Sequence, residues 1–246
     1  MNFAAFDLEI TKILPENTYN LMDYAPLGIS CAAAALSGRV EPIIWQGVPG
    51  MSKAQCQEMV AELGELVAAG YRLVTWNGCA FDFQVLAQES GMVDECGALA
   101  LNHIDLMLLA TFTKGYFLGL DKVLQGAGIK GKVKQVKLKD GSIMRDMAGG
   151  KAPELWAQGE HEAVLTYLRG DVQGLLELAE VVQRRKRMNW KSARGNPQNI
   201  RVPKLLTVKE CFGIPEPDVS WMSNPPRRKQ FVDWIPDWKR QVFGAA

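Results

Sequence analysis

Residues 1–10, MNFAAFDLEI, are apolar at almost every position, the pattern of a strand buried on both faces. Two acids, Asp7 and Glu9, interrupt the run at period two. In a strand they project from one face, while Phe6 and Leu8 enter the other. Residues 11–27 carry two prolines among polar residues and read as a loop. GISCAAAAL is a second strand and EPIIWQ a third. From Met51 to Ala69 the apolar positions fall at helical spacing (Met59, Leu63, Leu66), and Gly70 stops the element. YRLVTW is a further buried strand, ended by Asn77-Gly78. Helices are predicted over Phe81–Gln88, over Ile104–Phe112 with Asp105 near its start, and over Leu118–Gly126.

Lys130–Gly150 is a Gly- and Lys-rich loop or hairpin. His161–Gln183 is a long helix with an apolar stripe at Val164, Leu168, Val172, Leu175, Ala179 and Val182, and it runs into the basic Arg184–Arg187. Strands first, then strands alternating with helices, predict an α/β fold with a mixed sheet flanked by helices. Beyond 187 the chain changes character: residues 188–246 hold seven prolines and four tryptophans. We read 1–187 as one domain and 188–246 as a C-terminal extension packed on it.

Hydrophobic residues make up 48% of the 246 positions and no apolar run is long enough for a bilayer, so a membrane partner is not expected. The five cysteines are scattered, form no CxxC pair and do not pair with His103 or His161 at zinc spacing. Reduced thiols and a cytoplasmic, bacterial or phage-encoded protein are the expectation. The net charge of +1 hides an asymmetry. Residues 1–129 hold 6 Lys and Arg against 14 Asp and Glu, whereas residues 130–246 hold 22 against 13. An acidic half and a basic half suit an anionic polymer held near metals.

Four acids carry the candidate chemistry. Asp7 and Glu9 repel each other unless a cation lies between them, and hard carboxylate oxygens suit Mg²⁺ or Mn²⁺. Asp82 follows the turn WNGCAF at a helix start, where it is either an N-cap or a further ligand. Tyr167 and Asp171 stand at i and i+4 on the long helix and share a face. Gly170 and Gly174 on that face allow close approach of a strand or room for substrate.

FDLE, NGCAFDF and YLRGD together resemble the three exonuclease motifs of the DEDD superfamily, which has a ribonuclease H-like fold. Tyr167, four residues before Asp171, is the mark of the DEDDy branch; the DEDDh branch would need histidine where Thr166 stands. The resemblance covers residues 1 to about 185 and is similar to the stand-alone exonucleases related to the proofreading domain of family B DNA polymerases. The family usually ends with the third motif's helix, so the extension is a departure. The resemblance implies a metal-dependent 3′–5′ exonuclease releasing 5′-mononucleotides, acting on single-stranded DNA or DNA 3′ ends. Two divalent metals would sit on Asp7, Glu9, Asp82 and Asp171, and Tyr167 would orient the attacking water. A ribonuclease D-like RNA 3′-trimming enzyme is the alternative within the branch. A non-catalytic nucleic-acid-binding module would need a broken set of acids, and all four are present. A ribonuclease H-like or transposase-like endonuclease would lack the tyrosine.

Asn77 and Phe81 lie in the second motif and are candidate substrate contacts, although Asn77 equally favours a turn. Lys130, Lys132 and Lys134 begin an alternating run that could lie along phosphates or protect an exposed strand edge. The cations of Arg184–Arg187 also suit a helix C-terminus. Trp190, Trp221, Trp234 and Trp238 are read mainly as anchors of the extension. His103, His161 and Asp105 are read as structural.

Overall fold

The computed structural model describes residues 1–16 and 18–237; Trp238 lies outside them. The first strand, β1 (Asn2–Ile10), pairs antiparallel with β2 (Ile29–Leu36), which pairs antiparallel with β3 (Ile43–Gln46). After helix α1 (Lys53–Ala68) the chain returns as β4 (Tyr71–Thr75), parallel to β1. It then passes through α2 (Asp82–Ser90) and α3 (Val93–Asn102) to the two-residue strand β5 (Ile104–Asp105), parallel to β4. The sheet order is β3-β2-β1-β4-β5. β1 is therefore central, which is why its sequence is apolar on both faces.

The sheet separates two apolar layers. Phe6 stacks on Phe83 of α2 at 5.8 Å and meets the Trp45 ring edge-on, so α1–α3 cover that face. On the other face, Cys31, Ala33 and Ala35 of β2 lie against Val164, Leu168 and Val172 of the long helix. Three small side chains in a row let that helix approach the sheet closely. Register pairs Asp7 with Ala33 and Glu9 with Cys31, so both acids point toward the long helix, and a bulge between Glu9 and Ile10 follows them.

The remaining elements frame that face. They are α4 (Leu106–Lys114), α5 (Leu120–Ala127), the hairpin β6 (Gln135–Lys137) and β7 (Ile143–Arg145), α6 (Ala152–Ala157) and the long helix α7 (His161–Arg185). Residues 104–105 thus form a strand before the helix begins, because Asp105 caps α4 by accepting from the Leu108 N–H at 3.0 Å. Helices α3 and α6 were not expected. Lys186 ends α7 in the left-handed conformation, and Arg185 donates to the Ala127 carbonyl.

The chain then forms a second hairpin, β8 (Arg187–Lys191) and β9 (Pro197–Arg201), and the short helix α8 (Val208–Cys211). This segment shares the core of the domain. Trp190, Phe231 and Ile235 are buried, and Gly126 of α5 lies so close to β8 that a Cβ there would collide with the Asn189 carbonyl. Arg228 donates to the carbonyls of Phe112, Phe212, Ile214 and Pro215 and lies over the Phe112 ring. Among the described residues no helix is long and apolar enough to cross a membrane.

Candidate functional site

The carboxyl end of β1, the start of α2 and the middle of α7 meet at one place. The Leu8 N–H donates to Oδ1 of Asp7 and to Oδ1 of Asp82, both at 3.1 Å, so the first and second motifs are tied through a backbone group. Asp7, Glu9, Phe81, Lys132, Gly149, Tyr167 and Asp171 line a cavity of about 550 Å³. Glu9, Asp82, Tyr167 and Asp171 are themselves buried. A Cβ on Gly149 would stand 3.7 Å from Glu9 Oε2 and 3.9 Å from the Tyr167 hydroxyl, space that glycine leaves to the cavity.

The turn leading to Asp82 is held from three sides. Asn77 takes φ 75°, a left-handed conformation that asparagine tolerates, so its turn role is real. Its N–H donates to Asp105 Oδ1 at 3.1 Å and the Cys79 N–H to Oδ2 at 3.0 Å. Asp105 therefore caps α4 and fixes the second-motif turn together, a long-range role with no local sequence signal. The extension supplies the third side: Trp234 Nε1 donates to the Cys79 carbonyl at 2.8 Å. His103 is enclosed by Phe83, Thr75 and the Ala100 carbonyl.

The lysines separate. Lys130 and Lys134 are exposed, do not line the cavity, and Lys134 pairs with Asp121 at 3.2 Å. Lys132 turns inward. Its Nζ stands 2.5 Å from Asp171 Oδ2 and 5.1 Å from the centre of the Tyr167 ring. Gly170 makes this possible, because a Cβ there would run into Val133, the neighbour of Lys132. Gly174 faces Leu124 at an ordinary 3.6 Å. The glycine at 170 thus makes room for a loop, not for a strand.

Burial and mutual repulsion dominate the electrostatics. Asp7 is pushed up to about 6 by burial and by the Asp171 charge. Burial, then Asp7 and Asp171, hold Glu9 well above the carboxylate range. Burial, the Asp7 charge and a hydrogen bond shared with Asp7 do the same to Asp82. Asp171 is raised by burial against the opposing pull of Lys132. Burial alone would lower Lys132, but Asp171, Tyr167 and Asp7 outweigh it and raise it. Burial and Asp171 also raise Tyr167, leaving a neutral phenol that can donate but is a poor base.

Among the described residues no three His, Cys, Asp or Glu side chains are gathered tightly enough to hold an ion as they stand. The positive charge inside the cluster is the Lys132 ammonium. The donor set nevertheless fits a hard divalent cation. It consists of carboxylates, and the one ammonium, already paired with Asp171 Oδ2, is too little charge for four of them. A cavity of about 800 Å³ between α1, α3 and β4 lies at the amino end of β4, away from these acids.

No family model and no curated protein matches the chain. Among solved structures, the family B DNA polymerase from the hyperthermophilic archaeon Pyrobaculum calidifontis matches with a TM-score of 0.53 at 17% sequence identity. The match covers 74% of this chain and 24% of that polymerase. At that identity the likeness shows the fold. The mixed five-stranded sheet flanked by helices is consistent with the ribonuclease H-like architecture expected from the motifs.

Proposed function

We propose that the chain is a metal-dependent 3′–5′ exonuclease that removes 5′-mononucleotides from single-stranded DNA. The carrying observation is the convergence of Asp7, Glu9, Asp171 and Tyr167 on one cavity, with Asp82 bonded behind them. Four carboxylates raised by burial and by one another, around one ammonium, lack positive charge, and divalent cations are the groups that balance such a cluster. Asp7, Glu9, Asp82 and Asp171 would hold two Mg²⁺ or Mn²⁺ ions. Bound there, the ions supply a water of lowered pKa and charge neutralisation at the leaving 3′ oxygen.

The chain's own residues do the rest. Tyr167, neutral at its raised pKa, donates a hydrogen bond that fixes the attacking water. Lys132 offers its ammonium to a phosphate oxygen entering the cavity, because it already stands at the cavity wall between Asp171 and the Tyr167 ring. Phe81 and Asn77 form the wall along which the terminal nucleotides leave the acids. The likeness to a DNA polymerase favours DNA over RNA as the polymer.

The test is digestion of 5′-labelled DNA and RNA oligonucleotides with Mg²⁺, with Mn²⁺ and with chelator. The expected result is a ladder on DNA that shortens from the 3′ end only with metal. Faster trimming of RNA would reassign the substrate, and cleavage of closed circular DNA would replace the exonuclease with an endonuclease.

A further inference from the structure

Two further cavities continue from the acidic one. The acidic cavity and a second of about 610 Å³ share Leu21 and Phe81 in their walls, and the second and a third of about 620 Å³ share Phe117. Together they form one surface track. It leaves the carboxylates past Asn77 and Phe81, passes Phe117, and ends between Trp221 and the turn joining β8 to β9.

The lining changes sign along the way. Asp7, Glu9, Glu16 and Asp171 line the first cavity, whereas among the described residues no Asp or Glu lines the second or the third. The third carries Lys122, Lys191 and Arg194, none of which is in an ion pair among the described residues. It also carries open aromatic surface. Phe117 is 52% exposed and Trp221 67% exposed, the latter steadied edge-on by Tyr116 at 6.5 Å. Two large rings thus stand open to water beside three cations that have no acid partner among the described residues. They are the combination that holds a single strand: rings accept unpaired bases by stacking, and cations meet the phosphates.

We propose that this track is a binding groove for single-stranded DNA, completed by the C-terminal extension. With the 3′ end at the acids, the nucleotides on its 5′ side stack on Phe117 and Trp221, and their phosphates meet Lys122, Lys191 and Arg194. Lys191, Arg194 and Trp221 all lie beyond α7, so the far half of the groove belongs to the extension. The direction of the strand rests on the exonuclease reading; the groove itself does not.

The test is fluorescence anisotropy with 5′-labelled dT3, dT15, U15 and a 15-base-pair duplex. The protein is the full chain carrying Asp7→Ala, expected to stop digestion, with or without Trp221→Ala or the pair Lys191→Glu and Arg194→Glu. Trp221→Ala is expected to weaken dT15 by about 5- to 150-fold, the value of one base stack, and so to shrink the ratio of dT15 to dT3 affinity. The charge-reversed pair is expected to flatten the dependence of log affinity on log salt by about 1.4, two phosphate contacts on a single strand. Unaltered dT15 binding in both variants overturns the groove, as does tighter binding of duplex than of dT15. Tighter binding of U15 than of dT15 overturns the assignment to DNA. If the intact chain lacks metal-dependent hydrolysis yet both variants lose dT15, the groove stands and the exonuclease reading falls. If it digests DNA and both variants bind dT15 normally, the reading stands and the groove falls.

Discussion

Replacing Asp7 by Asn should stabilise the metal-free protein above about pH 6 while abolishing hydrolysis. Burial and the Asp171 charge raise Asp7 from 3.8 to about 6. Such a carboxyl holds its proton more tightly in the folded than in the unfolded chain. Its contribution to stability is therefore complete below the unfolded value and is lost as pH rises through the folded one. At about 1.4 kcal/mol per unit, that interval is worth about 3 kcal/mol. Asp7 is half-buried and opens on the cavity, so solvent screening makes this figure a ceiling. Glu9, Asp82 and Asp171 are shifted in the same direction and extend the fall above the Asp7 range. Asparagine keeps an acceptor for the Leu8 N–H and carries no charge. The assay is urea unfolding followed by tryptophan fluorescence, in chelator, from about pH 4 to about pH 8. The intact chain should lose stability across the range, Asp7→Asn should lose less, and near pH 8 the variant should be the more stable by about 1–3 kcal/mol. A variant less stable than the intact chain near pH 8 would refute this electrostatic account.

Four other changes probe the site and the elements that hold it. Tyr167→Phe removes a donor and little packing, so hydrolysis should slow by about 10- to 100-fold with Mg²⁺ affinity kept, measured by single-turnover cleavage and metal titration. Gly170→Ala should displace Val133 and with it Lys132, costing about 1–3 kcal/mol and much of the activity. Gly174→Ala should fold as well as the intact chain, or better by up to about 1 kcal/mol, in the same unfolding assay. Trp234→Ala loses the bond to the Cys79 carbonyl and should cost about 2 kcal/mol. Trp234→Ala should also slow hydrolysis by loosening the turn before Asp82, read from unfolding and cleavage on the same preparation.

What the sequence made legible follows from period. Asp7 and Glu9 alternate on a strand, and Tyr167 and Asp171 lie one helical turn apart, so each pair's common face could be read from spacing alone. The mixed sheet was legible from the order of the elements, strands first and then strands alternating with helices, and the apolar run of β1 marked it as a buried strand. The alternating lysines did not show which of them turns inward, because Lys132 owes its position to Gly170, a contact between segments distant in the chain. Asp105 was legible as a cap and illegible as the anchor of the Asn77–Cys79 turn for the same reason. The turn role of Asn77 shows in a backbone angle, which residue type alone does not fix.

The central claim is that these acids cut DNA from its 3′ end with metal. It is tested most directly by the rate of 5′-mononucleotide release from a 5′-labelled single-stranded oligonucleotide, with the intact chain and Asp171→Ala side by side in Mg²⁺. Stepwise shortening from the 3′ end by the intact chain is expected, stopped by chelator and absent in Asp171→Ala. Equal rates for the two proteins, or shortening that survives chelator, would contradict it.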